Sequence, residues 1–151
     1  MSLVILFGSE LGTSEAVAEH LADQVAFDGA VSVYDMADFD PRDLDGVEFL
    51  IVVCSTYGDG ELPTAGEAFF DRVEIVRPDL TGLRFAVFGL GDSVYGDTFN
   101  RGGELAAEKL AARGAVQVGE HARHDASTEI KPRELASRWV RTLPIRTLIA
   151  S

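Results

Sequence analysis

Phe49-Leu50-Ile51-Val52-Val53-Cys54-Ser55-Thr56-Tyr57-Gly58-Asp59-Gly60-Glu61-Leu62-Pro63 is the stretch that decides the fold. An apolar run that halts at small hydroxyls, an aromatic ring and two glycines reads as a buried strand opening into a ligand loop. The same junction occurs twice more. Leu3-Val4-Ile5-Leu6 runs into Phe7-Gly8-Ser9-Glu10-Leu11-Gly12-Thr13-Ser14, and Phe85-Ala86-Val87-Phe88 runs into Gly89-Leu90-Gly91-Asp92-Ser93-Val94-Tyr95. Three Gly-rich strand ends predict one site built from three loops on one edge of a parallel sheet.

Working outward, strands and helices alternate. The pattern predicts strands at residues 3–7, 31–34, 48–54, 83–88 and 116–118. Val17, Leu21 and Val25 at steps of four predict a helix over 13–27, which Gly29 is placed to end. Thr64 with Glu67 three residues on is a capping-box pattern, starting a helix that runs to about Val76. A third helix spans about Arg101 to Arg113 and ends at Gly114. Pro132 sits in the first turn of a last one, with Leu135, Trp139 and Leu143 as its apolar stripe. Five short apolar strands separated by helices give an α/β fold, a doubly wound parallel sheet with helices on both faces. No second domain is expected within residues 1–151.

The net charge of −12 argues against nucleic acid and against anionic membranes, both of which would repel it. It fits either a basic partner or solubility alone. The single cysteine, Cys54, excludes an internal disulfide and fits a reducing compartment, hence a cytoplasmic location. No apolar stretch approaches 18 residues, and Met1-Ser2-Leu3 leads straight into a strand, so neither a membrane span nor a signal peptide is expected.

Each loop has its own chemistry. The first, Ser9-Glu10-Leu11-Gly12-Thr13-Ser14, enters a helix whose unpaired N–H groups and partial positive charge suit a phosphate. It holds no Lys or Arg, so neutral donors would do the holding. That describes a cofactor seat and not a transfer centre; taken alone, it could equally be an ordinary strand–helix turn. The second, Ser55-Thr56-Tyr57-Gly58-Asp59-Gly60, offers Tyr57 for stacking and backbone N–H groups for a ring edge. The third runs from Gly89, Leu90, Gly91 and Asp92 through Tyr95 to Phe99 and Asn100. One loop tyrosine is usually a surface ring, but two, each a few residues past a strand end, suggest a two-sided aromatic clamp.

Other chemistries are missing. There is no G-x-x-x-x-G-K-[ST] phosphate loop, and Val94 stands where G-x-G-x-x-G needs its last glycine. Cys54 ends the third strand where a receiver domain would carry aspartate, and it reads as core. No His/Cys cluster has metal spacing. His20 reads as a surface residue, Trp139 as helix packing, and His121 and His124 as unconnected with catalysis.

Gly8-Ser9-Glu10-Leu11-Gly12-Thr13, Ser55-Thr56-Tyr57-Gly58-Asp59-Gly60 and Phe88-Gly89-Leu90-Gly91-Asp92-Ser93-Val94-Tyr95, in that order, resemble the flavodoxin family. They are most similar to the short, stand-alone MioC-like flavodoxins and the FMN domains of diflavin reductases. The resemblance implies sheet order 2-1-3-4-5, for which flavodoxins are a standard example, and noncovalent FMN at the switch point between strands one and three. It implies that residues 9–14 hold the phosphate, that Tyr57 covers one face of the isoalloxazine with Gly58 near N5, and that Tyr95 covers the other with Asn100 nearby. Asp125 matches only loosely an acidic position near the flavin edge. Leu11 stands where the family usually has Thr, and Glu10 where an uncharged residue is common. One extra residue separates Tyr95 from Phe99. The insertion that long-chain members carry in strand five has no counterpart in Val116-Gln117-Val118.

The implied function is one-electron transport by a monomer between a basic flavoprotein reductase and an acceptor enzyme. Glu10, Asp59, Glu61, Asp92 and Asp97 would form an acidic docking rim. Two other readings remain open. A small FMN-dependent NAD(P)H:quinone oxidoreductase would be reduced rapidly by NAD(P)H alone, and a non-redox module would fail to take up FMN.

Overall fold

Alternation along each strand sends successive side chains to opposite faces, and here both faces are covered. The computed structural model of the chain describes residues 2–8, 12–25, 27, 29–56 and 60–145, with Tyr95 described by its backbone alone. The strands are β1 (Ser2–Gly8), β2 (Ala30–Asp35), β3 (Phe49–Ser55), β4 (Arg84–Gly91), β5 (Val116–Gln117) and β6 (Ala122–Asp125). The helices are α1 (Thr13–Gln24), α2 (Thr64–Val76), α3 (Arg101–Ala111) and α4 (Pro132–Val140). The sheet is parallel in the order β2-β1-β3-β4-β5, with β6 also paired to β4.

Leu3, Ile5, Phe49, Ile51, Val53, Ala86 and Phe88 point to one face and meet Val17 and Leu21 of α1 and Trp139 of α4. Val4, Leu6, Leu50, Val52, Phe85 and Val87 point to the other and meet Phe69, Phe70 and Val73 of α2 and Ala106 and Leu110 of α3. Each large apolar side chain fully buried this way contributes roughly 1.5–3 kcal/mol before entropy is charged against it. Trp139 lies edge-on to Phe88 at 5.4 Å between centroids, and its Nε1–H donates to the Glu120 carbonyl at 2.7 Å. Both Trp139 and Cys54 are therefore core residues, and burial pushes the Cys54 thiol up to about 12.

Three local expectations are corrected. The last strand on the path is broken: after Val116–Gln117 the chain turns at Gly119, with φ 73°, and rejoins β4 as β6. His121 thus precedes β6, while His124 and Asp125 lie within it. The first helix stops at Gln24 with Val25 as its C-cap, short of both residue 27 and Gly29. Thr64 is the first residue of α2 and not its cap; Pro63 takes the cap position, and its carbonyl accepts from the Glu67 N–H at 2.9 Å.

Candidate functional site

Strand register sets the site. Gly8 pairs with Cys54, Cys54 with Gly89, and Gly89 with Arg123, so these four residues stand abreast on β1, β3, β4 and β6. All three loop junctions therefore leave the sheet level with one another, at its carboxyl edge. The chain leaves β1 toward β2 on one side and reaches β3 on the other, which opens a crevice between the two sets of connections.

Contacts tie the loops together. Ser14, fully buried at the start of α1, has its Oγ 2.8 Å from Ser55 Oγ at the end of β3. The Thr56 hydroxyl accepts from the Gly102 N–H at 3.0 Å, and the Thr56 N–H donates to the Leu90 carbonyl at 3.2 Å. Gly60 has φ 95°, and a Cβ there would meet Thr98 Cβ at 3.0 Å, so the second and third loops are in contact.

Of the first loop the structure describes Gly12 and the residues after it. Gly12, the N-cap of α1, has φ 84° and open space where a Cβ would stand. Among the described residues no side chain caps α1, and the N–H groups of its first turn lie at the end of the helix that faces the loop. Thr13 beside them is exposed.

The glycines of the third loop also have a packing role. A Cβ on Gly89 would collide with Asn100 Oδ1, and one on Gly91 would stand 3.0 Å from the Asn100 nitrogen. Asn100 lies along this backbone at φ 58°, fully buried, and its Nδ2 donates to the His124 carbonyl at 3.3 Å. Leu90 points into the core, so it can offer a ligand only backbone. Gly89, Leu90 and Gly91 thus seat Asn100, which anchors the far end of the loop. Phe99 and Asp92 are half-buried, and the Asp92 carboxylate accepts from the Val94 N–H at 3.0 Å.

The Asp125 carboxylate is bonded to the neighbouring loops. Its Oδ1 accepts from the Ser93 N–H, the Ser127 N–H and the Ser127 hydroxyl at 3.0, 2.9 and 2.7 Å. These bonds, the Ser93 N–H first, hold its carboxyl well below the usual carboxylate range. His124 is buried, and its Nε2 donates to the Ile130 carbonyl at 2.7 Å. His20 is half-buried, its Nε2 2.7 Å from Ser137 Oγ. Among the described residues no group of His, Cys, Asp and Glu could hold a metal ion, and no helix is long and apolar enough to cross a membrane.

Ser9, Glu10, Leu11, Tyr57, Gly58 and Asp59 lie outside the described residues, as does the side chain of Tyr95. Gly102, Gly103 and Thr98 belong to the framework and were missed by motif reading. A signal existed for one pair. Two glycines open α3 where each costs roughly 1 kcal/mol of helix propensity. A Cβ on Gly102 would strike the Ser55 carbonyl, and one on Gly103 would meet His121 Nε2 at 2.8 Å.

The sequence profile of a family described as flavodoxin matches residues 5–139. The MioC homolog of Haemophilus influenzae is 36% identical over 143 residues, 93% of this chain and 94% of that protein. The solved structure of a single-site mutant of flavodoxin from Pseudomonas aeruginosa superposes with a TM-score of 0.83 at 37% identity, covering 93% of this chain and 95% of that one. A 119-residue stretch, 77% of this chain, is 36% identical to 6% of the mitochondrial pyruvate dehydrogenase (NADP+) of Euglena gracilis.

Proposed function

The chain belongs to the flavodoxin family, and we propose that it carries single electrons from a basic flavoprotein reductase to an acceptor enzyme, with residues 1–151 acting as one FMN-binding domain. Proteins of this family bind FMN and transfer electrons; they are not enzymes. The reading rests above all on one observation: three loop junctions stand level on β1, β3 and β4 and are tied to one another by Ser14, Ser55, Thr56 and Gly102.

The residues present suit the cofactor. A phosphate needs donors, which Thr13 and the first-turn N–H groups of α1 can offer beside Gly12, with Ser9 to Leu11 assigned to the same loop by sequence. Ser14 is committed to Ser55 and holds the phosphate loop against β3. The second loop, with Tyr57 and the glycines at 58 and 60, and the third, with Tyr95, would hold the ring. Bound FMN supplies reversible one-electron chemistry, and the chain's own residues grip it, orient it and set the local field. A carboxylate about 6 Å from a negatively charged ring costs roughly 2–3 kcal/mol at an effective dielectric of about 20, on the order of 100 mV per electron. Glu61 and Asp97 are exposed beside the crevice and Asp92 is half-buried there, so the acids that lower the potential also steer a basic donor.

The relative embedded in an NADP-linked dehydrogenase favours a nicotinamide-dependent reductase as donor. The protein works as a cytoplasmic monomer, with no nucleic acid or membrane partner. Titration of the apoprotein with FMN and with riboflavin tests the reading. Thr13→Ala removes one hydroxyl donor to a dianion, about 1.5–3 kcal/mol, and weakens FMN while leaving riboflavin nearly unchanged. Equal losses for the two ligands would take the phosphate away from this loop.

A further inference from the structure

Strand β6, which no sequence pattern announced, grips both ends of the third loop. At the far end, the His124 carbonyl accepts from Asn100 Nδ2. At the near end, the Ala126 N–H donates to the Gly91 carbonyl at 2.8 Å, and Asp125 Oδ1 accepts from the Ser93 N–H at 3.0 Å. The same oxygen takes the Ser127 N–H and hydroxyl, and Ser127 Oγ lies 3.0 Å from Ser93 Oγ, so the turn after β6 and the start of the loop form one unit.

Between these anchors much of the loop is exposed. Val94 is 77% exposed, Ser93, Gly96 and Asp97 are exposed, and Gly96 breaks the helical turn with φ 62° and ψ −117°. The segment that carries Tyr95 is thus anchored at its ends, with the Thr98 contact to Gly60 and the Asp92 bond to the Val94 N–H between them. Among the described residues, Ser93 is reached from another element by the Asp125 carboxylate and by the Ser127 hydroxyl that Asp125 itself holds.

We propose that Asp125 is a positioning residue for the cofactor: it latches the loop from Ser93 to Phe99 onto β6 and so fixes the face that loop presents to the isoalloxazine. This rests on the FMN reading above. The action is geometric. One carboxylate oxygen accepts all three bonds, so an asparagine can present the same oxygen to the same donors. A charge acting directly on the ring would be lost in that substitution, whereas a latch survives it.

The experiment compares Asp125→Ala, Asp125→Asn and Ser127→Ala by amide hydrogen exchange of the ligand-free protein and by titration with FMN and riboflavin. In Asp125→Ala the Ser93 and Val94 amides exchange at least about tenfold faster, and both ligands bind about tenfold or more weakly, because the ring and not the phosphate loses its seat. Asp125→Asn recovers most of both effects. Ser127→Ala, at an exposed position that leaves the fold intact, gives a smaller change in the same direction and carries the test if Asp125→Ala does not fold. Exchange at Ser93 unchanged in every variant overturns the latch, whether or not FMN binds. Asp125→Asn losing as much affinity as Asp125→Ala overturns it too, in favour of a direct charge effect. A wild-type protein that binds neither ligand sinks the FMN reading instead, while exchange at Ser93 still decides the latch.

Discussion

His121 sits under the third loop with its Nε2 buried and, among the described residues, without a hydrogen-bond partner. The nitrogen lies 2.9 Å from where a Cβ of Gly89 would stand, so the ring fills the space those glycines leave. Burial pushes its pKa down from 6.5 to about 4; the Arg123 cation pushes the same way and the Glu104 carboxylate opposes. The unfolded chain therefore takes up a proton near pH 6.5, and the folded chain only near pH 4. Stability is fully present above pH 6.5 and is lost as pH falls toward 4. Between pH 7 and pH 5 one such site removes about 2 kcal/mol. His121→Leu neither titrates nor leaves a nitrogen unpaired. Urea unfolding at the two pH values measures the difference: the wild type loses about 2 kcal/mol more than the variant on going to pH 5. The carboxylates respond alike in both proteins, so the difference isolates the ring. Parallel pH curves for the two proteins would refute the reasoning.

Tyr95→Ala removes a stacking face. It should lower affinity for FMN and riboflavin alike and restore flavin fluorescence in the complex that remains. Gly102→Ala drives a Cβ into the Ser55 carbonyl and to 3.0 Å from Thr56 Cα, so α3 must shift away from β3. The expected loss is about 1–3 kcal/mol in thermal unfolding, accompanied by weaker FMN binding. Reduction by a basic reductase should slow as salt rises, because the Debye length shrinks from about 30 Å at 0.01 M to about 8 Å at 0.15 M. Reversing Glu61, Asp92 and Asp97 to Lys should slow it at low salt with FMN still bound; an undiminished rate would leave the acids serving solubility alone.

Much of this was legible because period and punctuation are local. Phe49 to Cys54 read as a buried strand from composition, and the three Gly-rich ends placed the site on one edge. The less legible features are non-local. The turn at Gly119 splits the last strand, and β6, with sequence Ala122-Arg123-His124-Asp125, carries too little apolar alternation to be seen. What makes it a strand is the pairing of Phe88 to Gly91 with residues 122–125, which only the folded sheet supplies. Gly89 and Gly91 looked like a ligand-binding loop, yet their missing Cβ atoms make room for Asn100, nine residues or more along the chain. Ser14, Ser55 and Thr56 read as cofactor-loop residues, and their hydroxyls also join the loops to one another. Asp125 matches only loosely an acidic position near the flavin edge, and what the sequence does not show is that its carboxylate accepts bonds from Ser93 and Ser127.

Stepwise reduction of the FMN-loaded protein, followed by its visible absorption spectrum, bears most directly on the central claim. An electron carrier takes up its two electrons in two resolved one-electron steps, and NAD(P)H leaves it oxidised until a reductase is added. Rapid reduction by NAD(P)H alone, or a purified chain that stays colourless when FMN is supplied, would contradict it.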